Sequence, residues 1–269
     1  MHEILSALPS GSKVLDLGSG SGSFAAEQLD LAVVRADLLP PEKRYDKFVV
    51  CRASELPFAE QTFPAIVLNH SLEHFENLGD ALSELARVLT RSGQLYVAVH
   101  DRFSFTDRLY RWLSRGGGHI NGFCDAIAIQ QTISTATGLR HAGTRVLCTS
   151  LSFLNRRNLP SRPPGKLLLF GNGQEGVLRT LTLVLRCLDR FFGWRTSVYG
   201  WAFYFGEGLM PDLATWSNVC VRCGSGHPSS LLRMTGRVTS RYILPSVYDC
   251  PKCGARNFFT EDSSLLHLY

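Results

Sequence analysis

Apolar residues come in short blocks along the first hundred positions, and polar turns separate the blocks. "VLDL", Val14 to Leu17, runs into glycines at 18, 20 and 22 and then into "FAAEQLD". A short apolar run bounded by glycine predicts a buried strand, and the segment after it a helix. "LAVVRADLLP" predicts a second strand that ends in a carboxylate, Asp37. "NLGDALSELARVL" spaces its apolar residues as a helix packed on a sheet does. "RSGQLYVAVH" predicts a fifth strand, and "GFCDAIAIQQTISTATG" a helix that stops at Gly138. "LRHAGTRVLCTSLSF" and "SVYGWAFYFG" follow as the sixth and seventh strands. Strands that alternate with helices make a doubly wound α/β sheet.

Two segments stand outside that alternation. Residues 155–196 form a long insertion between strands six and seven, and residues after 210 carry a different pattern. The expected domains are therefore 1–210, insertion included, and 211–269. Within the insertion, "VLRTLTLVLRCLDRFF" places Arg179, Thr182, Arg186, Asp189 and Arg190 on one helical stripe, with almost everything else apolar. So apolar a helix is buried or lies at a membrane surface. The insertion also carries Arg156, Arg157, Arg162, Lys166 and Arg195 against only Glu175 and Asp189. Peripheral contact of 177–192 with anionic lipid and simple packing as a lid or dimer helix are both open readings.

Composition narrows the class. The chain has 269 residues and a net charge of +5, with no long single-sign run. That balance argues against a nucleic-acid tail. "MHEILSALPSGSK" lacks the basic start and apolar core of a signal peptide, and no run of about 18 apolar residues occurs, so a cytoplasmic protein is expected.

The loop after the first strand carries the first chemical signal. Glycines at 18, 20 and 22 let backbone approach a ligand closely. Asp16 lies near the strand end, where a buried carboxylate needs a cationic or donor partner. Asp37 stands about where an acid would hold ribose hydroxyls. A nicotinamide dehydrogenase and a methyltransferase both fit to this point.

"ASELPFAEQTFPAIVLNHSLEHF", Ala53 to Phe75, separates them. Over about residues 10–100 the chain resembles the class I S-adenosylmethionine (SAM)-dependent methyltransferases with an "LPF…TFDAI…LEHF" core. The resemblance implies a seven-stranded Rossmann-like sheet and SAM as cofactor. It implies that Asp16, Gly18, Ser19, Gly20 and Gly22 surround the methionine end. Asp37 and Leu38 would hold the ribose and flank the adenine, and Ala53, Ser54 and Glu55 would pass its edge. Asn69, His70 and Ser71 would lie under the sulfonium. Two positions depart from the pattern. Arg52 replaces the acid that accepts from the adenine amino group, a bond that arginine cannot accept. Pro64 stands where aspartate is usual, and proline is tolerated at the first residue of a strand.

The tail carries the second signal. "CVRCG" and "CPKCG" place Cys220, Cys223, Cys250 and Cys253 in two knuckles, each closed by glycine. Four thiolates make a closed tetrahedral zinc site of the structural kind, so a small C-terminal zinc ribbon is expected. His227 is a nearby competitor. Candidate general bases are His100 and His119, with His70, His74 and Asp101 beside them; His74 reads as structural. The preferred reaction is methyl transfer to oxygen or nitrogen of a small-molecule, glycan or lipid-linked acceptor. The rival readings are an RNA methyltransferase that holds nucleic acid with its ribbon and a non-catalytic protein that keeps the fold.

Overall fold

The structure is a computed structural model. It describes the chain apart from residues 21, 25, 27–28, 42–44, 114–117, 149–150, 159–170, 212–217, 223 and 262–269. Residues 25, 27 and 28 of the helix expected over 24–30 lie outside that description, and no α-helix is found among its described residues; most of the loop "NRRNLPSRPPGK" lies outside it too.

Seven strands form one sheet: β1 (Lys13–Leu17), β2 (Ala32–Asp37), β3 (Phe48–Val50), β4 (Phe63–Asn69), β5 (Leu89–His100), β6 (His141–Leu147) and β7 (Gly200–Phe205). Their order is β3-β2-β1-β4-β5-β7-β6. β1 pairs in parallel with β2 and with β4, β2 with β3, and β4 with β5. The strand order reverses between β1 and β4, which opens a crevice at their carboxyl ends. β1, β4 and the second half of β5 are apolar almost without interruption, as strands covered on both faces must be.

Helices cover the sheet for local reasons. α1 (His2–Ala7) opens the chain. In α2 (Leu78–Val88), Ala81, Leu82, Leu85 and Val88 share the buried face, and Asn77 caps the first turn. The "LPF" stretch is tied to this helix: Leu56 N–H donates to Glu84 at 2.7 Å, and Arg87 donates to the Leu56 and Phe58 carbonyls. Pro64 sits second in β4, where the register is irregular between Phe63 and Ala65. α3 (Phe105–Leu113) follows β5, and α4 (Ala126–Thr137) packs against α2. Asp125 caps the start of α4, and Gly138 ends it at φ +69°, as the glycine pattern predicts.

The described residues divide into two compact units. The first is Met1–Asp101, Arg111–Arg145 and Trp201–Pro211; the second is Arg102–Tyr110, Val146–Gly200 and Asp212–Tyr269. The insertion therefore groups with the tail. In the second unit α5 (Glu175–Phe192) packs on a three-stranded sheet of β10 (Val238–Arg241), β11 (Leu244–Asp249) and β12 (Arg256–Phe258). β8 (Asn218–Val219) pairs with β9 (Gly226–His227), and α6 (Ser229–Met234) follows. Leu178 and Leu185 of α5 share a core with Leu151, Val247 and Phe258.

Most of the polar stripe of α5 turns inward: Arg179, Thr182 and Asp189 are buried and Arg186 half-buried, whereas Arg190 is exposed. Arg179 is 1% exposed and pairs with Glu175 at 2.9 Å, while it donates to the Thr239 carbonyl. Arg186 donates to Thr260 Oγ1, and Asp189 accepts from the Thr196 and Ser197 N–H groups. Arg256 completes the arrangement through Glu175 and Asp249 at 2.8 and 2.9 Å. Each of these charges has an opposite charge or a hydrogen-bond partner, as burial requires. Among the other cysteines Cys148 is buried, its thiol pushed up to about 12 by burial, whereas Cys187 is exposed and no core thiol. No helix among the described residues is long and apolar enough to cross a membrane.

Candidate active site

In the first unit the carboxyl ends of β1, β2 and β4 frame a cavity of about 690 Å³. Gly18, Asp37, Leu38, Ala53, Ser54, Glu55 and Ser71 all line it. His74, Phe75, Glu76 and Ile120 complete the far wall. Asp16, Ser19, Gly20, Gly22, Asn69 and His70 lie outside this lining.

The loop after β1 is set by glycine and by two carboxylates. Gly18, Gly20 and Gly22 have φ of +67°, +48° and +97°, the left-handed region that favours glycine. The Gly18 N–H donates to the Ala36 carbonyl at 2.8 Å, which welds the loop to β2. The Gly20 N–H donates to Asp37 at 2.7 Å, and the Ser23 N–H to Asp16 at 3.0 Å. Asp16 also faces Arg35, 4.0 Å away. Burial pushes the Asp16 carboxyl up, against the bonds from Ser23 and the charge of Arg35. Its Oδ1 and the Ser19 hydroxyl are buried with no partner among the described residues. An acceptor and a hydroxyl left open beside a glycine cradle fit a ligand that brings an ammonium group and a carboxylate. At the rim Arg52 pairs with Glu76 at 3.0 Å. The arginine that breaks the adenine pattern is thus held by an acid of its own.

A row of four imidazoles runs to the cavity wall. His70, just after β4, and His100, the last residue of β5, have ring centroids 4.4 Å apart. His100 and His119 stack at 4.8 Å, and His119 meets His74 edge-on at 4.9 Å. Glu73, 1% exposed, is the pivot. It accepts from the His100 ring at Nδ1, 2.8 Å away, and from the His100 N–H. A carboxylate can only accept, so the His100 ring proton lies on Nδ1. Burial opposes the charge on Glu73, yet His100 and His70 hold its carboxyl well below the usual range. Burial, helped by the nearby His100, lowers His70 to about 4 and favours its neutral ring. His70 takes φ +57°, uncommon outside glycine and found where sites impose it.

The loop that carries His119 is pinned from below. Asn121 donates to the Leu72 and Phe75 carbonyls at 3.0 and 2.8 Å, and Arg111 donates to the carbonyls of His119 and Asn121. His74 donates from Nδ1 to the Gly118 carbonyl. Sequence reasoning missed Glu73, Arg111 and Asn121. The available signal for Glu73 was an acid three residues after His70 at the end of a strand.

In the second unit the two knuckles have the same hydrogen bonds. The Gly224 N–H donates to the Cys220 carbonyl and the Gly254 N–H to the Cys250 carbonyl, both at 2.9 Å. Each glycine takes positive φ, +65° and +71°. Cys220, Cys250 and Cys253 bring their sulfurs within 4.8 Å of one another, and Cys220 and Cys253 come to 3.5 Å. A tetrahedron with metal–sulfur bonds of about 2.3 Å has sulfurs about 3.8 Å apart, so the three fit one ion. His227 Nε2 lies 3.4 Å from the Cys250 sulfur. Cys223 falls outside the described residues.

The family match among known proteins falls within the first unit. Residues 15–97 match a family model described as a methyltransferase domain. A ubiquinone/menaquinone biosynthesis C-methyltransferase of Haemophilus ducreyi is 30% identical over 131 residues, 40% of this chain and 50% of that protein. A tRNA (carboxymethyluridine(34)-5-O)-methyltransferase of Xenopus tropicalis is 31% identical over 106 residues, 36% of this chain and 17% of that one. The chain thus spans half or less of these relatives. The crystal structure of a SAM-dependent methyltransferase from Archaeoglobus fulgidus aligns with a TM-score of 0.50 at 15% identity, over 73% of this chain and 86% of that chain. That likeness shows the fold.

Proposed function

We propose that this chain, which carries a class I SAM-dependent methyltransferase domain, is an enzyme that methylates oxygen or nitrogen of a small-molecule, glycan or lipid-linked acceptor. The observation that carries the reading is the Glu73–His100–His119 row, which reaches the cavity at the carboxyl ends of β1, β2 and β4 through His74, a residue of its lining. When bound, SAM supplies a methyl group on a positively charged sulfur. Asp16 and Ser19 would meet its methionine end through their open polar atoms, along the backbone of Gly18, Gly20 and Gly22. Asp37 would take the ribose hydroxyls with Leu38 beside the ring, while Ala53, Ser54 and Glu55 pass the adenine edge. Asn69, His70 and Ser71, after β4, would lie under the sulfonium.

The chain's own chemistry is then acid–base. His100 takes the proton that the acceptor hydroxyl or amine gives up as its bond to the methyl carbon forms and the carbon–sulfur bond breaks. Glu73 holds the imidazole in one tautomer and stabilises the imidazolium, and His119 orients the acceptor against it. Titration of SAM by calorimetry should lose affinity in Asp37→Ala. Transfer of labelled methyl from SAM to lipid, glycan and RNA fractions of a cell extract should mark the first two. His100→Ala should slow turnover by about 10²–10⁴-fold, the usual worth of a positioned base, at unchanged SAM affinity. Equal SAM affinity in Asp37→Ala and wild type sinks the cofactor assignment.

The tail is proposed to hold one zinc through Cys220, Cys223, Cys250 and Cys253, which folds the ribbon rather than catalyses. A second reading, RNA as acceptor, draws support from the tRNA relative and from the exposed Arg241, Tyr242 and Ile243 at the β10–β11 turn. Labelling confined to the RNA fraction would select it.

A further inference from the structure

The outward face of α5 carries large apolar residues beside Thr180, Cys187 and Arg190. Val177 and Val184 continue into Phe191, Phe192 and Trp194, which are 79%, 62% and 51% exposed. The Phe192 and Trp194 rings stack at 5.0 Å and form one aromatic prow. Exposed clusters of this kind mark contact with a partner or a membrane.

A basic cleft of about 530 Å³ lies next to the prow, lined by Phe103, Arg108, Gly193, Trp194, Arg195 and Thr196. The Arg108 and Arg195 guanidinium carbons stand 5.7 and 5.5 Å from the Phe103 ring centroid. The cleft is built rather than accidental. Asp189, buried, takes the N–H groups of Thr196 and Ser197, which fixes the turn that presents Trp194 and Arg195. The Phe105 N–H donates to the Thr196 carbonyl and ties the start of α3 to the same turn.

We propose that this face of the second unit docks on a membrane of anionic phospholipid, with the aromatic prow in the interface and a headgroup phosphate between Arg108 and Arg195. Trp and Phe suit the acyl–headgroup boundary, and guanidinium beside them suits phosphate. The charge pattern decides against a second copy. The described cleft lining contains no acid, so a twofold pair would set these arginines against their own images. The inference stands apart from the acceptor assignment and survives its failure.

The test is co-sedimentation of the full chain with phosphatidylcholine vesicles, with and without phosphatidylserine. Binding should require the anionic lipid and fall as salt rises from about 0.1 to 1 M, where the screening length drops from about 10 to 3 Å. Phe191→Ser with Phe192→Ser should weaken it about tenfold or more, and Arg108→Glu likewise. Both changes are at exposed positions, and circular dichroism checks the fold. Absence of binding by the folded chain overturns the proposal, as does binding that the double variant leaves intact. A dimer that the double variant dissolves, without vesicle binding, or RNA binding lost in Arg108→Glu overturns it in favour of those partners.

Discussion

A Cβ added at Gly18 would lie 2.3 Å from the Cβ of Ser71, at a φ that side chains avoid; one at Gly20 would meet nothing within 4 Å. Gly18→Ala should therefore abolish measurable SAM binding and lower the melting temperature, while Gly20→Ala should do less to stability. Calorimetry and thermal melts on the pair check this. His70 gives a pH signature. Its folded value, about 4, lies below the ordinary 6.5, so the unfolded chain binds the proton first as pH falls. The contribution is fully present above about pH 6.5 and is lost toward pH 4; Glu73 adds its own loss below the usual carboxylate range. Melts from pH 8 to 4 should show the decline, flattened in His70→Asn, since Asn accepts left-handed backbone. At this scale the sequence displayed residue types well and pairings poorly. The glycine loop and Asp37 are local motifs and could be read directly. Glu73 and His100 are 27 positions apart and meet only because β4 and β5 are neighbours.

Among the elements, β1, β2, β5, β6, β7, α2 and α4 follow from periodicity and caps, and the structure places them where those signals point; β3 and the short strands of the second unit do not. α5 shows the limit of such reading. Its polar stripe looks like a water-facing stripe, because a wheel records which residues share a face and not what opposes it. The groups that accept from Arg179 and Arg186 include Glu175 on the same helix and, far along the chain, the Thr239 carbonyl and the Thr260 hydroxyl. Substitution should report the inversion. Leu185→Glu, at a 7% exposed position in the shared core, buries an unpaired charge and should cost several kcal/mol. Val184→Glu, one residue earlier and 48% exposed, should stay within about 0.5 kcal/mol by chemical denaturation.

At the scale of the molecule, the cysteine cluster and the insertion share one unit. β11 and β12 give Val247 and Phe258 to α5, while Tyr248 joins the cluster around Cys220 and Cys250. A strong chelator should release about one zinc per chain, as a four-thiolate site requires. Amide exchange should then accelerate in α5 as well as in the ribbon; a fully protected metal-free tail would refute the zinc. The sheet of the first unit has a consequence for synthesis. β6 joins it only through β7, and residues 148–199 lie between the two. On the ribosome β1 to β5 can pair as they emerge, but β6 has no edge to join until Gly200–Phe205 has been made. A chain halted or cut within that interval is no trimmed enzyme. It carries an uncovered β5 edge and an orphan strand, the condition from which sheets recruit one another into aggregates.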